Sequence, residues 1–280
     1  MPQRTSKINN LIVVSDLHSG CQLGLCPPGV RLDEGGLYHR NRIQRLIWQR
    51  WEEFWEEWVP RVTHGQPYAV NLNGDATDGV HHKGTHQISH NLADQSAIAE
   101  TILRPIVEKC EGRFYMIRGT EAHTGPSGAE EERLAKTLGA IPNEDGQYSR
   151  YELWVRVGHG LAHIMHHIGT TGTSHYESTA IMKELTESYV EAARWGRERP
   201  DVVVRSHRHR HMEIRIPTSL GYGISFCTAG WQGKTPFAYK IPGGRVTTPQ
   251  VGGSLIRQGD EDLFTRHATW DIVRSKVEVL

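Results

Sequence analysis

The chain has 280 residues, of which 37% are hydrophobic and 23% charged, so it is long enough to bury a sizeable core. Lysine plus arginine and aspartate plus glutamate number 32 each. This balance excludes a strong overall field that would draw the whole molecule to nucleic acid or to a membrane, although it allows a local basic patch. We expect one domain over residues 1–280, with residues 212–280 as a C-terminal extension or part of a second sheet.

Targeting and redox features indicate an intracellular protein. The first ten residues, MPQRTSKINN, are polar, and no apolar run approaches the length that crosses a bilayer. The cysteines form no CxxC pair and are expected to be reduced thiols without a chemical role; they are Cys21, Cys26, Cys110 and Cys227. We therefore predict a cytoplasmic protein that does not bind membranes.

The first half of the chain alternates predicted strands and helices. Strands are predicted at residues 11–15, 68–72 and 113–117, and helices at residues 41–59, 92–110 and 130–138. In the first helix, apolar residues recur at helical spacing, and Pro60 is expected to end it. The segment 16–38, rich in glycine and proline, is expected to be a loop. This alternation predicts an α/β fold.

The second half mixes shorter, antiparallel pieces. A hairpin is predicted from residues 151–157 and 161–166, followed by a helix at 178–195. Further strands are predicted at 202–205, 212–217 and 224–228. The segment 241–262 holds many glycines and little apolar periodicity, so we expect a long loop there, with one last strand at 269–280.

Aspartate and histidine, which commonly bind metals, stand at or near the ends of four apolar segments. These segments are LIVVSDLH, AVNLNGDATDG, AHIMHHIG and DVVVRSHRHRH. The residues concerned are Asp16, His18, Asp75, His166, His207 and His209. A buried strand that ends in such a residue delivers it to the carboxyl edge of a sheet, where open α/β sheets hold their ligands. Carboxylate oxygen and imidazole nitrogen together suit divalent Mn, Fe, Zn, Ni or Co.

These motifs resemble, in order and spacing, those of the calcineurin-like metallophosphoesterases. The matching segments are D-L-H at 16–18, G-D-A-T-D-G at 74–79, a glycine-led turn at 119, His166 and H-R-H at 207–209. D-x-H and H-x-H are weak signals alone, whereas all five blocks in sequence, each after a strand, are specific. The resemblance extends from about residue 11 to residue 209.

The resemblance implies a four-layer α/β/β/α sandwich of two mixed sheets flanked by helices, and a centre of two divalent ions. Manganese is expected, with Fe, Zn, Ni, Co or Mg as alternatives. The positions that match the family place Asp75 between the ions, Asp16, His18 and His209 on the first ion, and His166 and His207 on the second. Asp78 either orients a ligand or simply forms the turn before Gly79.

The adjacent residues His166 and His167 cannot both enter one site from a strand. We favour His166, because it directly follows the apolar pair Ile164-Met165. His207 and His209 are two residues apart and are expected to point to the same side. His211 continues that parity, but a packed or exposed histidine is the simpler interpretation.

The third block departs from the family pattern, in which an asparagine binds the second ion and a histidine contacts the phosphate. Thr120 stands at the asparagine position and Glu121 at the histidine position. Either Glu121 acts as a ligand or the second metal site is weaker. His123 is expected to supply the missing imidazole as general acid or phosphate contact. Some phage-encoded members of the family carry a similar Gly-Thr-Glu-Ala-His turn, which is compatible with a phage or bacterial origin.

Four arginines are expected near the same edge: Arg118, Arg205, Arg208 and Arg210. They either favour a polyanionic substrate or face solvent. Arg118 is therefore a candidate catalytic residue beside Glu121 and His123. The histidines after the second block, His81, His82, His86 and His90, are expected at the surface or at the mouth of a pocket.

The sequence thus predicts a metal-dependent hydrolase that cleaves a phosphodiester by attack of a metal-bound hydroxide. A nuclease and a nucleotide phosphodiesterase are its two versions. The alternatives are a phosphomonoesterase or phosphoprotein phosphatase, and a metal-binding relative without catalysis. The expected partner is a nucleotide or nucleic-acid substrate, and a homodimer is compatible with the resemblance.

Overall fold

A computed structural model describes residues 8–81, 83–169, 176–219, 221–241, 244–272 and 277–279. The strands are β1 (Asn10–Val14), β2 (Val30–Arg31), β3 (Leu37–Tyr38), β4 (Ala69–Asn73), β5 (Phe114–Ile117), β6 (Ser149–Arg150), β7 (Glu152–Val157), β8 (Gly160–Met165), β9 (Val202–Arg205), β10 (Met212–Thr218), β11 (Gly221–Cys227), β12 (Gln250–Gln258) and β13 (Leu263–Asp271). The helices are α1 (Arg42–Glu53), α2 (Val59–Thr63), α3 (Leu92–Lys109), α4 (Glu121–Thr124), α5 (Ala129–Leu138) and α6 (Glu177–Arg194).

Two mixed sheets contain all of these strands except the small β2–β3 pair. The first sheet has the order β13-β12-β1-β4-β5-β6, and the second has the order β10-β11-β9-β8-β7. Strands β1, β4, β5 and β6 are parallel, as are β8, β9 and β11, while β7, β10, β12 and β13 pair antiparallel. The mixed α/β class predicted from the sequence is confirmed.

Two apolar cores set the order of the layers. One core lies between the first sheet and the helices α1, α3 and α5, and includes Phe54, Leu72 and Ile102. The other lies between the sheets and includes Val13 and Phe226. Helix α6 packs against β10 and β11 on the outer face of the second sheet. The C-terminal quarter of the chain supplies strands to both sheets and is part of these layers.

The first long helix continues beyond Pro60, contrary to the prediction that this proline ends it. Asn41 caps α1: its side chain accepts from the Gln44 N–H, and the Gln44 side chain accepts from the Asn41 N–H. A π-helical turn, Phe54–Trp58, then joins α1 to α2. Pro60 is the second residue of α2 and directly follows the π-helical turn, whose irregular hydrogen bonding accommodates the missing N–H of the proline.

The long loop predicted at residues 241–262 is also wrong, because β12 occupies nine of these residues. Strand β12 lies between β1 and β13 and is buried over most of its length. Its glycines are required by close neighbours: a Cβ on Gly252 would be 1.9 Å from the Ala268 carbonyl oxygen, and one on Gly253 would be 2.5 Å from the Phe54 ring. The predicted last strand, residues 269–280, overlaps β13 only at residues 269–271, and residues 273–276 and 280 lie outside the described residues.

The strands bring the predicted site together at one edge. Asp16 and His18 follow β1, Asp75 follows β4, and Thr120 follows β5, which are neighbouring parallel strands of the first sheet. The second sheet contributes His166 after β8 and the segment 207–209 after β9, again from parallel neighbours. No helix in the described part of the chain has both the length and the apolar character to cross a bilayer.

Candidate metal centre

The turns that carry the predicted ligands have an unusual backbone. Nine non-glycine residues among those described have a positive φ angle, and five of them are predicted metal ligands: Asp16 (54°), His18 (46°), Asp75 (52°), His207 (74°) and His209 (51°). The left-handed conformation costs about 1–2 kcal/mol per residue with a Cβ. Such strain persists where the surrounding fold imposes it, and it concentrates at functional sites.

Asp16, His18 and His209 form the first ligand group. One ligating atom of each lies within 4.8 Å of the other two. The Nε2 atoms of the two histidines are 3.1 Å apart, and His209 Nε2 is 3.2 Å from Asp16 Oδ1. Burial raises the pKa of Asp16, but attraction to His209 and to His166 outweighs it and holds the pKa below its usual value. The carboxyl group is therefore ionised while fully buried.

Asp75, His166 and His207 form the second group, again with ligating atoms within 4.8 Å of one another. His166 Nδ1 donates to the Asn73 carbonyl oxygen at 2.6 Å, so its Nε2 faces Asp75 Oδ2 at 3.1 Å. Burial lowers the pKa of His166, but the charge of Asp75 outweighs it and raises the pKa to about 10. The two buried carboxylates thus favour a positive charge at this position.

Asp75 contacts both groups through one oxygen. Asp75 Oδ2 lies 3.1 Å from His166 Nε2 in the second group, 4.0 Å from His207 Nδ1 and 4.0 Å from His18 Nε2 in the first group. Burial raises its pKa, and the surrounding histidines, His166 first among them, more than reverse this, so the pKa lies well below the usual value. A carboxylate in this position has the geometry to bridge two ions.

The donor atoms and their packing fit divalent ions. Asp16 Oδ1 is buried and accepts no hydrogen bond with acceptable geometry from any described residue. The backbone approaches the donors as closely as glycine allows: a Cβ on Gly119 would be 2.1 Å from Asp75 Oδ1, and one on Gly74 would be 2.4 Å from His166 Nδ1. Carboxylate and imidazole donors on two adjacent groups match the preferences of first-row divalent metals.

Thr120 belongs to the second group by distance. Its Oγ1 lies 3.1 Å from His207 Nδ1, 3.4 Å from His166 Nε2 and 3.5 Å from Asp75 Oδ2, and its N–H donates to Asp75 Oδ1 at 2.7 Å.

Glu121, by contrast, is exposed at the start of α4 and belongs to none of the ligand groups formed by the described residues. The contacts therefore do not support Glu121 as a ligand. His167 is exposed, whereas its neighbour His166 is buried in the group.

His123 lies beside the first group. Its ligating atom is within 4.8 Å of those of His18 and Asp75, and its ring centroid is 4.5 Å from that of His18. Nδ1 donates to the Asp78 carbonyl oxygen at 2.6 Å, which leaves the Nε2 lone pair unprotonated. Burial lowers the pKa of His123 to about 4. This neutral form suits a metal ligand or a hydrogen-bond acceptor, and the predicted role as a general acid stays a prediction.

The arginines at this edge are mostly engaged elsewhere. The Arg118 guanidinium donates to Ser149 Oγ at 3.0 Å and to the Ser127 carbonyl oxygen at 3.0 Å, which favours a structural role over a catalytic one. Arg205 pairs with Glu184 at 2.8 Å, and Arg210 with Glu177 at 3.0 Å. Arg208 forms no salt bridge to a described residue, and its Nη2 is buried without a hydrogen bond.

The centre opens into a cavity of about 500 Å³. Ligand residues His18, Asp75, His207 and His209 line it together with Arg208. Apolar residues from α6, β10 and the segment before β12 form another part of its wall: Ile181, Met212, Phe237, Ala238 and Ile241. Cavities of this size hold small-molecule ligands.

Glu131 is an important residue that the sequence analysis missed. It lies on α5, is fully buried, and accepts from the Ala76 N–H at 2.9 Å and from the Gly119 N–H at 2.7 Å. It thereby connects the turn after β4 with the turn after β5. Burial, together with the charge of Asp75, raises its pKa to about 7. The sequence does contain a signal for this role, because Glu131 lies on the same face of α5 as the buried residues Leu134 and Leu138.

Asp78 lies where a ligand-orienting residue is needed. Its Oδ1 is 3.3 Å from His18 Nδ1, and the amides of Gln87 and Gln232 donate to the carboxylate at 2.9 and 3.1 Å. His81 and His86 also have nitrogens within 4 Å of Asp78 and are largely buried, so neither lies at the surface, and His81 lines the cavity as the pocket alternative expected. His82 lies outside the described residues, and His90 is exposed.

Two further predictions concern packed residues. His211 donates from Nδ1 to the Cys227 carbonyl oxygen at 3.0 Å and packs against His267, so it is a packed histidine, as the simpler interpretation held. The four cysteines are free thiols and all are buried, which confirms that they form no disulfide.

Comparisons with known proteins give only distant likenesses. No protein-family model matches the chain, and no curated protein matches it. The structure of Vacuolar Protein Sorting 29 from Cryptosporidium parvum aligns over 95% of this chain and 100% of that chain, at 10% identity and a TM-score of 0.37. The protein TM1076 of Thermotoga maritima aligns over 94% and 100%, with the same identity and TM-score. At these values neither likeness bears on function, which is inferred from the geometry of the centre.

Proposed function

We propose that this protein is a metal-dependent phosphodiesterase of the metallophosphoesterase type. The observation that carries the proposal is the position of Asp75 Oδ2, within 4.0 Å of imidazole nitrogens of both ligand groups. An oxygen shared by two adjacent sets of donors is what a pair of ions requires of its bridging ligand. The left-handed turns at five of the ligands, which follow three different strands, support the same conclusion.

The first ion would be held by Asp16, His18 and His209, and the second by His166, His207 and Thr120, with Asp75 between them. His123 is near enough to the first group to add a ligand. When bound, a pair of divalent ions polarises the phosphate and supplies a nucleophilic hydroxide near neutral pH. Oxygen and nitrogen donors suit Mn, Fe, Zn, Ni and Co alike, and manganese is the ion that we propose.

Residues of the chain bind and orient the substrate around this centre. Arg208 is the arginine of the cavity that forms no salt bridge to a described residue, so its guanidinium is available to a phosphate oxygen. The apolar wall near Phe237 and Ile241 would contact an ester substituent. Glu131 holds the two turns that carry Asp75 and Thr120 at a fixed distance. The neutral His123 leaves Nε2 free to bind an ion or to accept a hydrogen bond.

A diester substrate fits these features better than a phosphomonoester. A diester carries two substituents, and the cavity offers an apolar wall beside the guanidinium of Arg208. The cavity volume of about 500 Å³ and the zero net charge favour a nucleotide-sized substrate over a long duplex. We therefore place a nucleotide phosphodiesterase before a nuclease.

The experiment is hydrolysis of bis-p-nitrophenyl phosphate by purified protein with added Mn²⁺, compared with an Asp75→Asn variant. We expect turnover by the unaltered protein and a loss of at least about 1000-fold in the variant, because the amide removes the bridging charge. Asp33→Asn, a change in the turn between β2 and β3, is the matched control and is expected to retain activity.

Full activity of Asp75→Asn would contradict the mechanism. A strong preference for p-nitrophenyl phosphate over the diester would replace the proposal with a phosphomonoesterase. Metal analysis with fewer than two ions per chain, and no turnover with Mn, Ni, Co or Mg, would replace it with a metal-binding protein without catalysis. Incubation with cyclic nucleotides, single- and double-stranded DNA and RNA then separates the two diesterase versions.

A further inference from the structure

A second set of donor atoms lies on the other side of Asp78 from the candidate metal centre. One ligating atom each of Cys21, Asp78 and His86 lies within 4.8 Å of the other two. Cys21 is in the turn after β1, and His86 is in the segment between β4 and α3. The three residues are thus brought together by the fold from separate parts of the chain.

Backbone hydrogen bonds hold the two segments against each other. Cys21 and Gln87 form a β-bridge, the Gln22 N–H donates to the His86 carbonyl oxygen at 2.7 Å, and the Ile88 N–H donates to the Gly20 carbonyl oxygen at 2.6 Å. The positions of the Cys21 and His86 side chains are therefore set by paired backbone.

The nitrogen of His86 is spaced from Asp78 as two ligands of one ion would be. His86 Nε2 lies 3.7 Å from Asp78 Oδ2, beyond hydrogen-bond distance. Donors at about 2.0–2.3 Å from a tetrahedral ion are about 3.3–3.7 Å apart. His86 Nε2 is also buried and forms no hydrogen bond to a described residue, which leaves it a lone pair or a proton without a partner.

We propose that Cys21, Asp78 and His86 bind a third divalent ion of the zinc type, with the fourth position open to a water. One thiolate, one carboxylate and one imidazole are donors that zinc accepts in tetrahedral sites. The candidate metal centre has no sulfur donor among its residues. The two locations therefore differ in metal preference, because thiolate selects softer ions than oxygen and nitrogen donors do.

An ion at this position would support the neighbouring centre through Asp78. Asp78 Oδ1 is 3.3 Å from His18 Nδ1, and Gln87 and Gln232 hold the carboxylate from the sides. Fixing the other oxygen of Asp78 would fix the ring of His18, which belongs to the first ligand group. The third ion would also fasten the histidine-rich segment before α3 to the turn after β1.

Cobalt substitution tests this site without any measurement of activity. Metal-free full-length protein is titrated with Co²⁺ and its absorption spectrum recorded. We expect a thiolate-to-cobalt charge-transfer band in the near ultraviolet, which the donors of the neighbouring centre cannot produce. The band should be lost in Cys21→Ser and kept in Cys26→Ser, a change of another buried thiol in the same loop.

Two more variants make the result decisive. His86→Asn should weaken cobalt binding at the band by roughly tenfold or more and should lower the zinc content of the purified protein by one ion per chain. It serves as the test if Cys21→Ser does not fold. Asp75→Asn should keep the band, so this proposal and the proposed phosphodiesterase activity can fail separately. A folded protein without the band, or a band that survives in Cys21→Ser, overturns the third site.

Discussion

Glu131 is the buried side chain that connects the turn of Asp75 with the turn of Thr120. Its two oxygens accept from the Ala76 and Gly119 N–H groups. Glu131→Gln should lower metal affinity or kcat by about 10–100-fold, because an amide turns an N–H group toward one of these donors. The measurement is Mn²⁺ titration with activity as one readout and metal binding as the other.

Glu130→Gln is the matched control for that change. Glu130 is on the same helix turn, but it pairs with Arg133 near the surface and does not contact either turn of the centre. We expect its metal affinity to equal that of the unaltered protein. Equal metal affinities for Glu131→Gln and Glu130→Gln would remove the positioning role.

Arg208 differs from its neighbour Arg210 in having no acidic partner among the described residues. Arg208→Ala should raise the KM for the diester roughly tenfold or more while changing kcat less, because a charged hydrogen bond to phosphate contributes about 1.5–3 kcal/mol. Arg210→Ala is the control, since Glu177 already neutralises that cation. A larger KM effect in Arg210→Ala than in Arg208→Ala would show that the phosphate contact had been assigned to the wrong arginine.

Most of the candidate centre could be predicted from the sequence, because each ligand lies within four residues of the end of an apolar strand. Asp16, Asp75 and His166 are examples, and the fold brings strand ends of the two sheets to one edge. Their supporting contacts could not be predicted in the same way. The partners of Glu131, for instance, are 55 and 12 residues away, and no local pattern encodes such pairs.

At the scale of elements, the parallel strands and helices of the first half were predictable from apolar periodicity, whereas β12 was not. Its glycines suggested a loop, but they are present because the backbone of β13 and the ring of Phe54 approach closely. The extension of the first helix past Pro60 was also not predictable from the sequence. The π-helical turn before Pro60 accommodates the proline, and apolar periodicity does not reveal such a turn.

Gly252→Ala tests the close packing of β12. The new methyl group would meet the Ala268 carbonyl oxygen, so we expect the free energy of unfolding to fall by at least about 2 kcal/mol. Gly36→Ala is the control, because its Cβ would meet only the Leu32 side chain at 3.8 Å, and a change within about 0.5 kcal/mol is expected. Chemical denaturation followed by circular dichroism measures both, and equal stabilities would refute the packing argument.

At the scale of the whole molecule, Glu213 connects the two sheets. It lies on β10, accepts from Thr265 Oγ1, and is 2.7 Å from His267 Nε2 on β13. Burial raises the pKa of Glu213, but hydrogen bonds from His267, Thr265 and Arg215 outweigh it and lower the pKa to about 2. The ionised carboxylate therefore stabilises the fold above its usual pKa of 4.5, and this contribution is lost as the pH falls from about 4.5 to about 2.

Glu213→Gln should therefore be less stable than the unaltered protein by about 1–2 kcal/mol at neutral pH, a figure reduced for solvent screening of the partly exposed carboxyl group. The difference should shrink as the pH falls through the window between about 4.5 and 2. Denaturant unfolding at a series of pH values measures it. A difference that stays constant across that window would show that Glu213 acts by packing and not by charge.

The pairing of β12 with β1 also bears on how the chain is made. Residues 10–13 belong to an inner strand of the first sheet, between β4 and β12, and their antiparallel partners in β12 are residues 254–257. More than 200 residues are synthesised between these two segments, so one side of β1 has no strand to pair with until β12 has been made. Until then, the unpaired N–H and C=O groups of β1 can form hydrogen bonds with other nascent chains. The partly synthesised protein is therefore prone to aggregation.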